Sequence, residues 1–195
     1  MNRIGEVERI TKETNIRISL KLDGNGQADI DSGIPFLDHM LTLFAVHGFF
    51  DLFVSAKGDL DVDLHHTIED VGLVLGDAIT QALGERKGIR RYGHAVIPMD
   101  DALAAATVDL SNRPFLVCNT PESIVYRIAL NPSLTKEFFR ALANRGGMNL
   151  HINVAYGEND HHVIESIFKA FGRALDQAAT VDGRTTGIPS SKGTL

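Results

Sequence analysis

The chain holds one cysteine, Cys118, and no tryptophan. A single thiol excludes an internal disulfide framework and a cysteine-rich zinc site. Long apolar runs are also missing, and none reaches the roughly 18 residues that a membrane-spanning helix needs. Basic residues are in the minority, 19 against 25 acidic, leaving a net charge of −6. That balance argues against nucleic acid or an anionic membrane as the main partner, while leaving room for a local basic pocket. The opening Met1-Asn2-Arg3-Ile4-Gly5-Glu6 lacks the basic-then-apolar order of a secretory leader. With 44% hydrophobic and 23% charged residues, the 195-residue chain has ordinary globular composition rather than that of a disordered one. A soluble, cytoplasmic protein is the expectation. Eight histidines are present, and they are not scattered.

The chain reads as a unit built twice. His65-His66-Thr67-Ile68-Glu69-Asp70 matches His161-His162-Val163-Ile164-Glu165-Ser166, and residues 65–82 and 161–178 agree at 8 of 18 positions, including Gly76/Gly172, Ala78/Ala174, Gln81/Gln177 and Ala82/Ala178. Upstream, Phe36–Leu41 faces Leu134–Phe139, with His39 opposite Glu137, and His47-Gly48 faces Arg145-Gly146. Residues 1–90 form one half and residues 91–195 the other, which carries a C-terminal tail; together they make one compact unit.

Local patterns give each half the same elements. Arg3–Thr11 and Asn15–Leu22 alternate as strands, and a helix opens at Pro35 and runs to Val46. Phe50–Ala56 is a strand, and His66–Leu83 is a helix with one apolar face. In the second half, strands are expected at His94–Pro98, Leu103–Leu110 and Phe115–Asn119. A helix from Ser133, a strand over Asn149–Ala155 and a helix over His162–Ala179 follow. The alanines of Leu103–Thr107 favour helix, and only the repeat argues for strand there. The expected class is α+β: duplicated ββαβα half-domains, mixed sheets packed against helices.

The two His-His-x-x-Glu segments carry the chemistry. On a helix, positions i and i+4 share a face, so His65 points with Glu69 and His161 with Glu165. His66 and His162 are turned by about 100° and point elsewhere. Two metals, each drawing one histidine from either doublet, satisfy this geometry. One site combines His65, Glu69 and His162; the other combines His161, Glu165 and His66. His39 is a natural further ligand for the second, and Glu137 for the first, with His151 the fallback. Nitrogen and carboxylate donors with open positions suit manganese, iron or zinc, and the carboxylate share leans toward manganese. His47 and His151 stand between substrate contact and structure; His94 reads as a surface residue. Lys87–Arg91, Arg113 and Ile188–Gly193 together offer guanidinium, ammonium and hydroxyl donors for a phosphate. Gly24-Asn25-Gly26 is a turn, since no Lys-Ser/Thr ending makes it a phosphate loop.

Gly33-Ile34-Pro35-Phe36-Leu37-Asp38-His39-Met40, both histidine doublets, Gly84-Glu85-Arg86-Lys87-Gly88 and Pro189-Ser190-Ser191-Lys192-Gly193 closely resemble the imidazoleglycerol-phosphate dehydratase family of histidine biosynthesis, in the family's order across essentially the whole chain. The chain resembles the monofunctional form, with no fused phosphatase. The resemblance implies a ribosomal protein S5 domain 2-like fold, trimers assembled into a 24-subunit homo-oligomer, and active sites at subunit contacts with two Mn2+ each. It also implies dehydration of imidazole glycerol phosphate to imidazole acetol phosphate. On this analogy His39, His65, His66, Glu69, His161, His162 and Glu165 are ligands. Arg91, Arg113, Ser190 and Lys192 are phosphate and substrate contacts, and Glu13 lies beside the substrate. Some members have histidine where this chain has Glu137, which is kept here as a ligand.

The hydrogen to be lost lies on a carbon with no adjacent carbonyl, so simple base abstraction faces a high barrier. A ring whose two nitrogens face two metals can become imidazolate and expel the hydroxyl of the attached carbon, giving a diazafulvene-like intermediate; loss of the neighbouring C–H then yields an enol and the ketone. Glu165 or Glu13 is the candidate base, and His47 the group assisting departure of the hydroxyl. Two other readings use the same ligands. A dinuclear phosphoesterase would release inorganic phosphate, and a metal-storage protein would turn over nothing.

Overall fold

A computed structural model describes residues 3–121, 130 and 132–195; Met1 and Asn2 of the segment read for a leader lie outside the described residues. The first half contains β1 (Ile4–Ile10), β2 (Thr14–Lys21), β3 (Ala28–Asp31), α1 (Pro35–Gly48), β4 (Asp51–Gly58) and α2 (His65–Leu83). The second repeats it with β5 (Tyr92–Met99), β6 (Ala102–Asp109), β7 (Phe115–Asn119), α3 (Pro132–Gly146), β8 (Asn149–Tyr156) and α4 (Asp160–Ala179). Each half makes one four-stranded mixed sheet, ordered β1-β2-β4-β3 and β5-β6-β8-β7, with only the outer β3–β4 and β7–β8 pairs parallel. The duplicated ββαβα architecture is present, each half adding a short third strand at its edge. β3 was not expected: its four residues, Ala-Asp-Ile-Asp, bury no side chain fully and give no alternating apolar signal.

Each sheet is covered on one face by its own two helices, and the helix layers of the two halves meet, α1 against α4 and α2 against α3. The repeated glycines explain these seams. A Cβ on Gly172 would come within 2.7 Å of the Phe44 carbonyl oxygen on α1, and one on Gly76 within 2.6 Å of the Leu142 carbonyl oxygen on α3. Phe44, Phe138, Phe139, Phe168 and Phe171 fill the space between the layers, with Phe44 and Phe171 stacked at 5.3 Å. Each such fully buried ring contributes about 2–3 kcal/mol of hydrophobic stabilisation.

β6 is a strand despite its alanines. Ala102, Ala104 and Ala106 are buried beneath α4, and Gly93 on β5 lies so near Ala174 that no side chain fits. Close packing selects small residues there, overriding propensity. The repeated glutamines serve the edge strands: Gln81 Oε1 accepts from the Glu6 N–H at 2.7 Å, and Gln177 Oε1 from the His94 N–H at 3.0 Å. Among the described residues no helix is long and apolar enough to cross a membrane.

Candidate metal centre and phosphate cluster

Both doublets stand at helix N-termini. Asn159 caps α4 by accepting from the His161 N–H at 2.9 Å, which fixes the first turn. His161 Nε2 then lies 3.2 Å from Glu165 Oε2, as the i, i+4 spacing predicts. α1, held against α4 at the Gly172 seam, delivers His39, whose Nε2 is 3.5 Å from the same Glu165 oxygen. One ligand atom from each of His39, His161 and Glu165 falls within 4.8 Å of the others. Donors about 2.2 Å from one cation at right angles would be separated by about 3.1 Å, so these separations fit an ion among them. Burial pushes the Glu165 carboxyl up, but the Lys169 ammonium one turn further on and His39 outweigh it and hold Glu165 below its ordinary value.

At the other doublet His65 Nε2 lies 3.4 Å from Glu69. Glu137, the expected companion, is instead paired with Arg140 at 2.8 Å on its own helix. His151 sits on the outer face of the second sheet, because its neighbours Leu150 and Ile152 point to the helices; the fallback ligand therefore faces away from both doublets of its own chain. His94 is exposed and bonded to Thr107, as a surface residue would be. Among the described residues no three-donor group joins the two doublets, and His39, His161 and Glu165 are the one such group. His66 and His162 turn elsewhere, as the 100° rotation predicts. His66 Nδ1 meets Asp59 at 3.1 Å, with Glu13 at 4.0 Å, and His162 Nδ1 meets Asp101 at 2.5 Å. These hydrogen bonds raise both imidazole pKa values. His47, eight residues beyond His39 on α1, has its pKa lowered by burial and by the nearby Lys169 and Arg173 charges.

The phosphate candidates gather at the far end of the second half. Arg91 forks onto Asp109, with Nε at 2.7 Å and Nη2 at 3.2 Å, and its Nη1 donates to the Pro189 carbonyl at 2.8 Å, so the tail carrying Ser190 and Lys192 is tied there. Arg113 is exposed and reaches Asp109 at 3.9 Å. The Arg91 N–H also donates to the Ala178 carbonyl, at the C-terminal end of α4. Seventeen residues separate His161 from Ala178, about 26 Å along a helix. Arg86, from the Gly84–Gly88 motif, is structural: it is buried and donates to the Gly146 and Gly147 carbonyls, both at 2.8 Å. Sequence reasoning passed over Lys169, Asp59 and Asp101. Only Lys169 had a legible signal, its i+4 spacing from Glu165.

An imidazoleglycerol-phosphate dehydratase family model matches residues 32–175. The enzyme of that name from Syntrophobacter fumaroxidans is 60% identical over 193 residues, 99% of this chain and 98% of the relative. The one from Desulfosudis oleivorans is 59% identical over the full length of both. Among solved structures, imidazoleglycerol-phosphate dehydratase from Staphylococcus aureus superposes with a TM-score of 0.81 at 38% identity, covering 92% of this chain and 99% of its own. The Pyrococcus furiosus protein in complex with (S)-C348 gives 0.85 at 37% identity, covering 97% and 100%.

Proposed function

The chain belongs to the imidazoleglycerol-phosphate dehydratase family, hydro-lyases of histidine biosynthesis, and from that premise we propose that it dehydrates imidazole glycerol phosphate with two divalent cations, Mn2+ by donor type, held by its histidine doublets. The observation that carries this reading is the convergence of His39, His161 and Glu165. His66 of another copy would complete that site; His65, Glu69 and His162 would hold the second, with Glu137 joining once released from Arg140. When bound there, divalent cations would supply Lewis acidity to the substrate's ring.

The chain's own side chains supply the rest. Lys169 keeps Glu165 ionised, and so able to bind a cation or take the proton from carbon. Glu13, near His66, is the alternative base. His47, with its proton weakly held through burial and the Lys169 and Arg173 charges, is the candidate for assisting the leaving hydroxyl. Arg91, Arg113, Ser190 and Lys192 would hold the phosphate.

The distances add a condition. A five-membered ring, three carbons and a phosphate reach only about 10 Å at ordinary bond lengths. The 26 Å between the His161 and Arg91 ends of α4 therefore cannot be bridged within one chain. The phosphate residues of one copy would serve the metals of another, which requires a homo-oligomer; the 24-subunit assembly expected from the family would meet that need. Exposed Phe115, Tyr156 and Val96 on the second sheet are consistent with subunit contacts.

Metal analysis of the purified protein, coupled to an assay of ketone formation from imidazole glycerol phosphate before and after chelation, tests the reading. About two metals per chain, with activity lost on chelation and restored by Mn2+, is expected. Full activity in the chelated, metal-free protein would end it.

A further inference from the structure

We propose that Asp59 and Asp101 are positioning residues that hold the second histidine of each doublet, His66 and His162, by Nδ1 and so present Nε2 as the coordinating nitrogen. This rests on the metal reading above. Within each doublet the two rings have different partners. The first histidine turns Nε2 toward the glutamate of its own helix, His65 to Glu69 at 3.4 Å and His161 to Glu165 at 3.2 Å. The second has Nδ1 on an aspartate from outside the helix, with His66 at 3.1 and 3.3 Å from the two Asp59 oxygens and His162 at 2.5 Å from Asp101 Oδ1.

The two aspartates are not copies of one another. Asp59 follows β4 and precedes α2, whereas Asp101 lies in the turn between β5 and β6. The first-half counterpart of that turn, between β1 and β2, brings Glu13 only to 4.0 Å from His66 Nδ1, and Asp59 from a different loop makes the hydrogen bond there instead, so two different loops supply the bond to the same ring atom of equivalent histidines. A shared requirement at that atom accounts for this, and coordination imposes one. A carboxylate that accepts the Nδ1 proton fixes the neutral tautomer, leaves the lone pair on Nε2, sets the ring plane and makes Nε2 more basic.

The two positions differ in what else they do. Asp101 also accepts from the Glu158 and Asn159 N–H groups, at 2.6 and 2.8 Å, and so helps to hold the loop entering α4. Asp59 has His66 as its side-chain partner among the described contacts, which makes it the cleaner test. Glu13 and Asp100, at 4.0 Å from His66 Nδ1 and 3.5 Å from His162 Nε2, are exposed and too distant to hold the rings in the same way.

Mn2+ binding to the whole assembly, followed by equilibrium dialysis in wild type, Asp59→Ala and Asp59→Asn, separates the outcomes. Asp59→Ala should weaken binding at one of two sites per chain by about 10–100-fold, with the metal-free melting temperature unchanged. Asp59→Asn, whose amide oxygen can still accept the Nδ1 proton, should recover most of that loss. Asp101→Asn, which keeps an acceptor for the loop, should weaken binding less than Asp101→Ala. Wild-type Mn2+ affinity in Asp59→Ala, beside a wild type that binds two ions, would overturn this inference alone. A wild type that binds no Mn2+ would overturn the metal reading and this inference with it.

Discussion

Replacing Gly172 by alanine probes the seam on which the site depends. The added Cβ would lie 2.7 Å from the Phe44 carbonyl oxygen, 3.3 Å from the Gly48 nitrogen and 3.4 Å from the Phe44 Cα. All three obstacles are backbone atoms of α1, so no rotamer change relieves them. Restoring an ordinary contact requires α1 and α4 to part by about 0.7 Å or more. Overpacking of this kind costs about 1–3 kcal/mol, and alanine recovers about 1 kcal/mol through better helix propensity. Because rigid backbone puts the cost in the upper part of its range, the net loss is about 1–2 kcal/mol, or a melting temperature lower by about 2–8 °C for a chain of this size. The same displacement carries His39 away from His161 and Glu165 by more than the roughly 0.2 Å that metal–ligand distances tolerate, so Mn2+ affinity should also fall. Thermal melting in chelator isolates the first effect, and Mn2+ titration reads the second. A variant that melts at or above wild type without metal would refute the reasoning, because helix propensity alone would then decide the outcome.

Arg86→Met should lower stability by about 3 kcal/mol in chemical denaturation, since it leaves the carbonyls of Gly146 and Gly147 without their buried charged donor. Asp176→Asn tests an electrostatic penalty with a definite sign. Burial raises the Asp176 carboxyl above its ordinary value despite Arg173, so the folded state loses stability as pH climbs from about 3.9 through the folded value. The variant should therefore melt above wild type at pH 7, with the advantage gone below pH 4. Mixed assemblies of His39→Ala and Arg113→Ala, each inactive alone, should recover about a quarter of wild-type activity when chains mix randomly, because some sites then draw metal and phosphate residues from intact halves of different copies. Mixtures no more active than their components would refute division of the site between chains.

Much of this was written into local pattern. The doublets predicted their own geometry, because i, i+4 spacing on a helix is a local property, and His161 and Glu165 meet as that spacing requires. The repeat correctly assigned β6 as a strand against its alanines, since duplication carries fold information that propensity does not. β3 escaped because its pairing with β4 is non-local and its side chains bury too little to leave a pattern. Asp59 and Asp101 escaped for the same reason: an aspartate in a loop has no mark in sequence showing which histidine it will face.

The sequence by itself determined the duplicated architecture, the helix faces bearing the doublets and the family, because periodicity and repetition act over short stretches of chain. Only the tertiary structure decided that α1 lies on α4, so that His39 joins His161 and Glu165, that Glu137 turns to Arg140, and that His151 faces away from the helices. It also placed Arg91 and the tail bonded to it, the proposed phosphate residues, a full helix length from the group of His39, His161 and Glu165. Such distances are set by how whole layers pack at Gly76 and Gly172, where backbone meets backbone, and no local pattern records which helix will be on the other side.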